Sequence, residues 1–476
     1  MKVLFASSEA APFFKSGGLG DVAGALPKEL KKKGVDVRVV LPLHALMKAE
    51  DKKELQLLTK FTVKVGWRVE YTGIKTLKRH GITYYFIDNE RYFMRDALYG
   101  YEDDGLRFSY FSIAVLEMLE KIGFIPDVIH ANDWHTALIP VLLKEKYQWI
   151  DVFADIRTVL TIHNLQFQGV YDQRILADWL GIGMDAFQEE GLKYYDKVNF
   201  LKGGIQFADA VNTVSPTYAE EIQTPHFGEN LDAVLRANNH KLQGILNGID
   251  YETNNPKTDP VIYENFNVNK LAGKKKNKTG LQKDLQLPES DDMLIGVVSR
   301  LTTQKGFDLV EHILDEIRQR PVQVVILGTG EAQFENTFRY FDDLYPDKVR
   351  AVIDFDIELA QKIYAGSDLF LMPSAFEPCG LSQMLSMRYG TLPLVHEVGG
   401  LKDTVAPYNK YTGEGTGFSF YDFSPHVLLQ IIDEALDVYQ HNPKAWTQLI
   451  KQAMNKDFSW DQSAQKYISF YQSIQK

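Results

Sequence analysis

Three short clusters carry residue types and spacings suited to holding an anionic ligand and working on a bond beside it. The first is Lys15-Ser16-Gly17-Gly18-Leu19-Gly20-Asp21. Glycines let backbone amides approach a ligand closely, and a helix N-terminus favours negative charge. Lys15 adds a full positive charge beside those amides. The spacing matches neither the dinucleotide fingerprint nor the P-loop. A tight strand-to-helix turn with Asp21 as its cap accounts for the same residues about equally well. The second cluster is Ser299-Arg300-Leu301-Thr302-Thr303-Gln304-Lys305-Gly306. Arg300 can pair with phosphate oxygens through two parallel hydrogen bonds, while Lys305 offers a compact charge where the next helix begins. Together at a strand-to-helix junction they favour an anion site.

The third cluster, Pro373-Ser374-Ala375-Phe376-Glu377-Pro378-Cys379-Gly380-Leu381, holds a carboxylate between an aromatic residue and a proline. That apolar setting predicts a buried, functional Glu377. No histidine pairs recognisably with Cys379, so it is not expected to be a nucleophile. Two further polar groups follow strand-like runs: His130-Ala131-Asn132-Asp133-Trp134-His135, where Trp134 could stack on a sugar ring, and Thr161-Ile162-His163-Asn164-Leu165. His130 and His135 are five positions apart and lack the i, i+4 spacing of a zinc helix.

The elements that must position these groups repeat in two sets. Val3 to Ala6, Val37 to Leu41, Asp127 to His130 and Thr158 to Ile162 read as buried strands, with helical spacing over Gly20 to Lys33 and Leu106 to Ile122. The pattern restarts with strands at Leu294 to Val298, Gln323 to Leu327, Asp368 to Met372 and Leu392 to Val395, separated by helices such as Phe307 to Arg318 and Leu381 to Tyr389. Strands alternating with helices imply mostly parallel sheets. Two doubly wound units in tandem fit this better than one large sheet, and such sheets bind ligands at the carboxyl ends of their strands. The basic run Gly273 to Lys278 reads as a solvated loop leading into a helix.

A chain of 476 residues exceeds one ordinary core. The composition, 45% hydrophobic and 24% charged, is that of a globular protein. A formal charge of -11 argues against general affinity for nucleic acid or an anionic membrane. The single cysteine excludes an internal disulfide and a cysteine-rich zinc site. No signal peptide and no apolar span of about 20 residues is present, so the cytoplasm is the expected location.

At these clusters the sequence strongly resembles the bacterial glycogen synthase and plant starch synthase family. Gly244-Ile245-Leu246-Asn247-Gly248-Ile249-Asp250, Gly399-Gly400-Leu401-Lys402-Asp403-Thr404-Val405, Gly415-Thr416-Gly417-Phe418 and Phe458-Ser459-Trp460 extend the match in family order along the chain. The resemblance implies a GT-B fold, two Rossmann-like domains with the donor in the cleft between them. It implies domains at 1–246 and 247–455, with 456–476 crossing back to the first. It implies ADP-glucose as donor, a glycogen-like α-1,4-glucan as acceptor, retention of configuration, and no metal or other cofactor. Glu377, His163, Arg300, Lys305 and Asp133 correspond to catalytic positions. Lys15, Gly18, Asp21, Asn247, Cys379, Gly380 and Leu381 join Arg300 and Lys305 around the donor. Trp134, His135 and Tyr99 fall to the acceptor or sugar pocket.

Fixed cations would stabilise the departing diphosphate. Replacing Lys305 is therefore expected to lower turnover far more than stability. The residues leave double displacement and front-face attack both open, and the resemblance favours the second. Ala375, Phe355, Val398 and Asn254 depart from residues usual in the family, which touches fine donor contacts. Met1 standing directly on the first strand points to the glycogen synthase branch. Transfer from UDP-glucose, or binding without catalysis as a sugar-nucleotide sensor, are the alternative expectations.

Overall fold

The computed structural model describes residues 1–475, which form two compact units. The first runs from Met1 to Gly248 and resumes at Trp460, and the second is Ile249–Ser459. The sequence places the divisions after 246 and 455; the units part after Gly248 and Ser459.

The first unit is built on β1 (Lys2–Ala6), α1 (Gly18–Lys32), β2 (Asp36–Pro42), β3 (Gln56–Val65), β4 (Arg68–Arg79), β5 (Ile82–Asp88), α2 (Asp104–Lys121), β6 (Val128–Asn132) and β7 (Arg157–Ile162). A small three-stranded sheet follows: β8 (Val170–Asp172), β9 (Lys193–Tyr194) and β10 (Lys197–Asn199). Then β11 (Ala210–Thr213) and β12 (Leu242–Gly244) complete a nine-stranded sheet of order β12-β11-β7-β6-β1-β2-β5-β4-β3. Every pairing in it is parallel except those of the β3–β4 hairpin and of β4 with β5. Val3, Leu4, Phe5 and Ala6 of β1 are wholly buried, as a central parallel strand covered on both faces requires. Helix α1 buries Leu19, Val22, Ala23, Leu26 and Leu30, the three-and-four spacing of a helix laid on a sheet.

The second unit contains α3 (Ala272–Asp284), β13 (Met293–Val298), α4 (Phe307–Arg318), β14 (Val322–Leu327), β15 (Val349–Val352), α5 (Ile357–Gly366), β16 (Leu369–Met372), α6 (Ser382–Arg388), β17 (Leu392–His396) and β18 (Phe418–Phe420). Its six strands are all parallel, in the order β15-β14-β13-β16-β17-β18. The last helix, α7 (Trp460–Ile474), returns to the first unit, where Trp460, Ala464, Tyr467 and Tyr471 share a core with Val22, Leu26 and Leu30 of α1.

Strand order reverses direction between β1 and β6 in the first unit, and between β13 and β16 in the second. These are the topological switch points at which ligands bind in open parallel sheets. The segments following those four strands are the Lys15 loop, the Asp133 cluster, the Arg300 loop and the Glu377 loop. No helix among the described residues is long and apolar enough to cross a membrane.

One expectation is corrected. Gly273 to Lys278 is not a loop but the body of α3. Lys274 is buried, which lowers its pKa to about 7, and its Nζ donates to the carbonyls of Ala365 (2.9 Å) and Tyr389 (3.0 Å) and to the Thr391 hydroxyl (2.8 Å). Lys278 pairs with Asp368 at 2.7 Å. Burial without acceptors would be prohibitive for an ammonium. Here the carbonyl ends of α5 and α6 supply them, and no periodicity in the sequence reveals that.

Candidate active site

In the first unit, eleven residues separate β1 from α1, including a cis Ala11–Pro12 bond. Glu9, in the middle of this segment, is buried. It accepts from Ser16 N, from Ser16 Oγ at 3.0 Å, from Gly17 N at 3.4 Å and from Tyr99 Oη at 2.9 Å. Gly17, not Asp21, is the residue that opens α1. Asp21 lies one turn inside the helix and pairs with Lys15 at 2.6 Å, so it neutralises the loop lysine instead of capping. The glycines divide by function. A Cβ on Gly20 would lie 2.3 Å from Lys15 Cβ, whereas one on Gly17 or Gly18 would meet nothing within 4 Å. Packing demands the first; the other two leave open approach to the helix start.

Across the switch point, Asp133 follows β6 with φ +56°, a left-handed backbone unusual for a residue with a side chain. Its Oδ1 accepts from His163 N at 2.7 Å and Asn164 N at 3.4 Å, which ties the β6 and β7 ends together. Burial pushes its carboxyl up to about 7, with the two amides opposing and nearby Glu9 adding to the rise. The His163 ring meets Asn132 Oδ1 at 2.8 Å, and burial lowers its pKa to about 3, so the imidazole is neutral. His135 is likewise lowered to about 3 by burial and, secondarily, by Arg107. It stacks on Tyr99 with ring centroids 4.5 Å apart. The His135 Nδ1 and Asn247 Oδ1 atoms are buried and have no hydrogen-bond partner among the described residues.

One aromatic expectation changes. Trp134 is not a sugar platform. Phe108, His135, Tyr171 and Phe200 surround its ring, and Gly169 lacks a side chain where a Cβ would come 2.5 Å from the indole. His130 is a satisfied core residue held between Tyr471 Oη (2.7 Å) and Thr161.

In the second unit the two loops at the switch point are laced together. Gly306, at φ +80°, allows the backbone to pass where a Cβ would come 2.0 Å from the Pro373 carbonyl, and Ala375 N donates to Gln304 O at 2.8 Å. This brings Lys305 Nζ to 2.7 Å from Glu377 Oε2, with Ser374 Oγ donating to the same oxygen at 3.0 Å. Glu377 is buried. Behind it, Gly399 and Gly400 pack on its main chain, where a Cβ on Gly399 would lie 1.8 Å from the Glu377 carbonyl, and Gly400 N donates to that carbonyl at 3.1 Å. The Gly-Gly pair is thus the seat of the Glu377 loop.

A cavity of about 200 Å³ is lined by Arg300, Lys305, Ser374, Glu377, Gly380 and Leu381 among others. Arg300 is exposed at its rim and makes no side-chain ion pair among the described residues. The buried Cys379 stands just behind, its carbonyl accepting from Gln383. The arrangement offers one unengaged cation, one cation shared with a buried carboxylate, and a small polar pocket, the equipment for holding a phosphorylated group beside a carboxylate.

Sequence reasoning overlooked Glu9, and it quoted Ser374 without assigning a role. An ionisable residue inside the segment after a buried central strand was the available signal for the former. Of the family departures, Phe355 is 79% exposed beyond β15 and keeps its aromatic face open. Asn254 has a structural task, donating to Asp250 O at 3.0 Å and accepting from Gln361 at 3.2 Å.

Comparison with known proteins adds to this geometry. Residues 2–237 match the starch synthase catalytic domain model, and residues 280–456 match the glycosyl transferases group 1 model. The chain is 57% identical to a glycogen synthase of Ligilactobacillus salivarius and 54% identical to one of Streptococcus gordonii, with all of each chain covered. Among solved structures it resembles the catalytic domain of starch synthase IV from Arabidopsis thaliana bound to ADP and acarbose, with a TM-score of 0.92, 35% identity and 99% of both chains covered. A sucrose-phosphate synthase from Thermosynechococcus elongatus shares the fold at a TM-score of 0.62 and 17% identity, over 99% of this chain and 98% of that one.

Proposed function

The chain belongs to the bacterial glycogen synthase and starch synthase family of GT-B glycosyltransferases, and on that premise we propose that it transfers glucose from ADP-glucose to the non-reducing end of an α-1,4-glucan with retention of configuration. The observation that carries the chemical part is the Lys305–Glu377 contact at the β13/β16 switch point, with Arg300 unengaged beside it. Breaking the anomeric bond moves negative charge onto the departing nucleoside diphosphate. Lys305, held by Glu377, is a preorganised cation for that charge, and the exposed Arg300 at the rim supplies a second. The sugar ring becomes oxocarbenium-like, and the buried Glu377 carboxylate stabilises positive charge next to it. In the first unit Lys15, the open helix start at Gly18 and the neutral His163 serve the same reaction. Asn247 offers an orphaned acceptor to a sugar hydroxyl. Cation stabilisation by side chains makes a metal unnecessary in this reading, and a cytoplasmic location belongs to it as well.

Incubation with labelled ADP-glucose or UDP-glucose and glycogen, with label counted in the polymer, tests the proposal. Incorporation from ADP-glucose that persists in EDTA is expected. No incorporation from either donor would refute transfer, leaving sugar-nucleotide binding alone, and preference for UDP-glucose would change the donor.

A further inference from the structure

We propose that Glu9 is a positioning residue: it acts as an internal anion that fixes the Lys15 loop and joins it to the Tyr99–His135 side of the site. The sequence reading offers the amides of this loop to a ligand. In the structure the inner ones are taken. Ser16 N and Gly17 N point at Glu9 Oε2, while Ser16 Oγ and Tyr99 Oη point at Oε1, so both carboxylate oxygens are engaged. Glu9 is only 3% exposed. Burial raises the Glu9 carboxyl above the usual carboxylate range, and the donors of Ser16, Tyr99 and Gly17 oppose that rise by holding the charged form.

The clamp also sets what remains for a ligand. A Cβ on Gly20 would lie 3.0 Å from Glu9 Oε2 and 2.3 Å from Lys15 Cβ, so glutamate and lysine share the space over the first turn of α1. Gly18 and Leu19, the first two residues of α1, have amides with no partner inside the helix, and nothing occupies the space above Gly18. Glu9 therefore consumes the inward amides and leaves the outward ones, with Lys15, for the incoming group. On the other side, Tyr99 Oη lies 2.6 Å from Ser8 Oγ and its ring stacks on His135. One carboxylate thus holds together two segments 90 residues apart in sequence.

The role rests on the glucosyl-transfer reading, but its mechanical part is testable without it. In the full chain, Glu9→Gln keeps the shape while placing an NH2 group against donors, and Glu9→Asp keeps the charge on a shorter stem. Glu9→Gln is expected to reduce kcat/KM for ADP-glucose about 100-fold, as for a binding group displaced by roughly an ångström. Most of this should come through KM, since the loop holds ground and transition states alike. Hydrogen exchange in a peptide spanning 10–22 should accelerate at least tenfold, with the thermal midpoint near the parent's, and Glu9→Asp should recover part of both. Parent-like exchange in that peptide would overturn the clamp even if the protein transfers no glucose. Parent-like KM and kcat in an active enzyme would overturn the positioning role. If Glu9→Gln does not fold, Tyr99→Phe, which removes a donor to Glu9 Oε1, decides: a folded variant with parent exchange in the 10–22 peptide refutes the clamp.

Discussion

Replacing Lys305 with methionine removes an ammonium 2.7 Å from Glu377 Oε2 and leaves that carboxylate with the Ser374 hydroxyl at 3.0 Å. Removing one partner of a fully buried pair costs about 3–5 kcal/mol, because the other charge stays buried and uncompensated. The Lys305 side chain is 17% exposed and Glu377 8%. With Ser374 still in place, about 2–3 kcal/mol of stability is the expected loss. That exceeds what an anion site isolated from the core would contribute, and it amends the expectation drawn from sequence. Turnover should fall a further and separate amount, about 10²–10³-fold, the effect of losing one preorganised donor aimed at developing charge. The double variant Lys305→Met/Glu377→Gln separates the two terms. Without the orphaned charge, its unfolding free energy should return to within about 1 kcal/mol of the parent, while its turnover stays as low as that of the single variant or lower. Denaturant unfolding and glucose incorporation into glycogen, measured on the same preparations, give both quantities. Parent-like turnover in the single variant would refute the leaving-group role. Recovery of turnover in the double variant would show that Lys305 acts only by neutralising Glu377.

The glycines of the first loop should separate packing from binding. Gly20→Ala forces a Cβ to 2.3 Å from Lys15 and should destabilise the first unit by about 1–3 kcal/mol, whereas Gly18→Ala meets open space and should leave stability within about 1 kcal/mol while weakening ADP binding, as read by calorimetry. The first unit should also be acid-labile. His130, His135 and His163 are held neutral by burial, each lowered to about 3. Between about pH 6.5 and 3 they bind protons only when unfolded, so stability falls as pH falls through that window. Asp133, raised to about 7, acts in the opposite sense, since it keeps its proton when folded and its stabilising term declines as pH rises from about 4 to 7. Denaturant titrations at pH 7 and 5 should show lower stability at 5, and His130→Gln should flatten that slope. Lys274→Met orphans the Ala365 and Tyr389 carbonyls and the Thr391 hydroxyl in the second unit. It should cost about 2–4 kcal/mol in denaturant unfolding.

The parallel-sheet architecture, the two sets of strands and the residues at their carboxyl ends were legible because buried parallel strands are written as short apolar runs and their loops as clusters of glycine and charge. Lys15, Asp133, His163, Arg300, Lys305 and Glu377 were all reachable this way, since each stands in a segment that follows a buried parallel strand: β7 for His163, a switch-point strand for the others. Side-chain direction was not legible. Trp134 looks identical in sequence whether its ring faces a sugar or Phe108 and Phe200, and only packing chose the latter. The lysines of α3 read as solvated because nothing local announces the carbonyls of Ala365 and Tyr389, about 90 and 115 positions away.

Composition, periodicity and local motif therefore determined the class of fold and which glycine- and charge-bearing loops follow its strands, because these depend on contacts a few residues apart. The tertiary structure alone decided that Lys305 meets Glu377 across 72 positions and that Glu9, not a ligand, occupies the inner amides of the Lys15 loop. Hydrogen bonds and ion pairs between distant segments depend on how strands are ordered in the sheet, and that order has no signature at any one place in the chain.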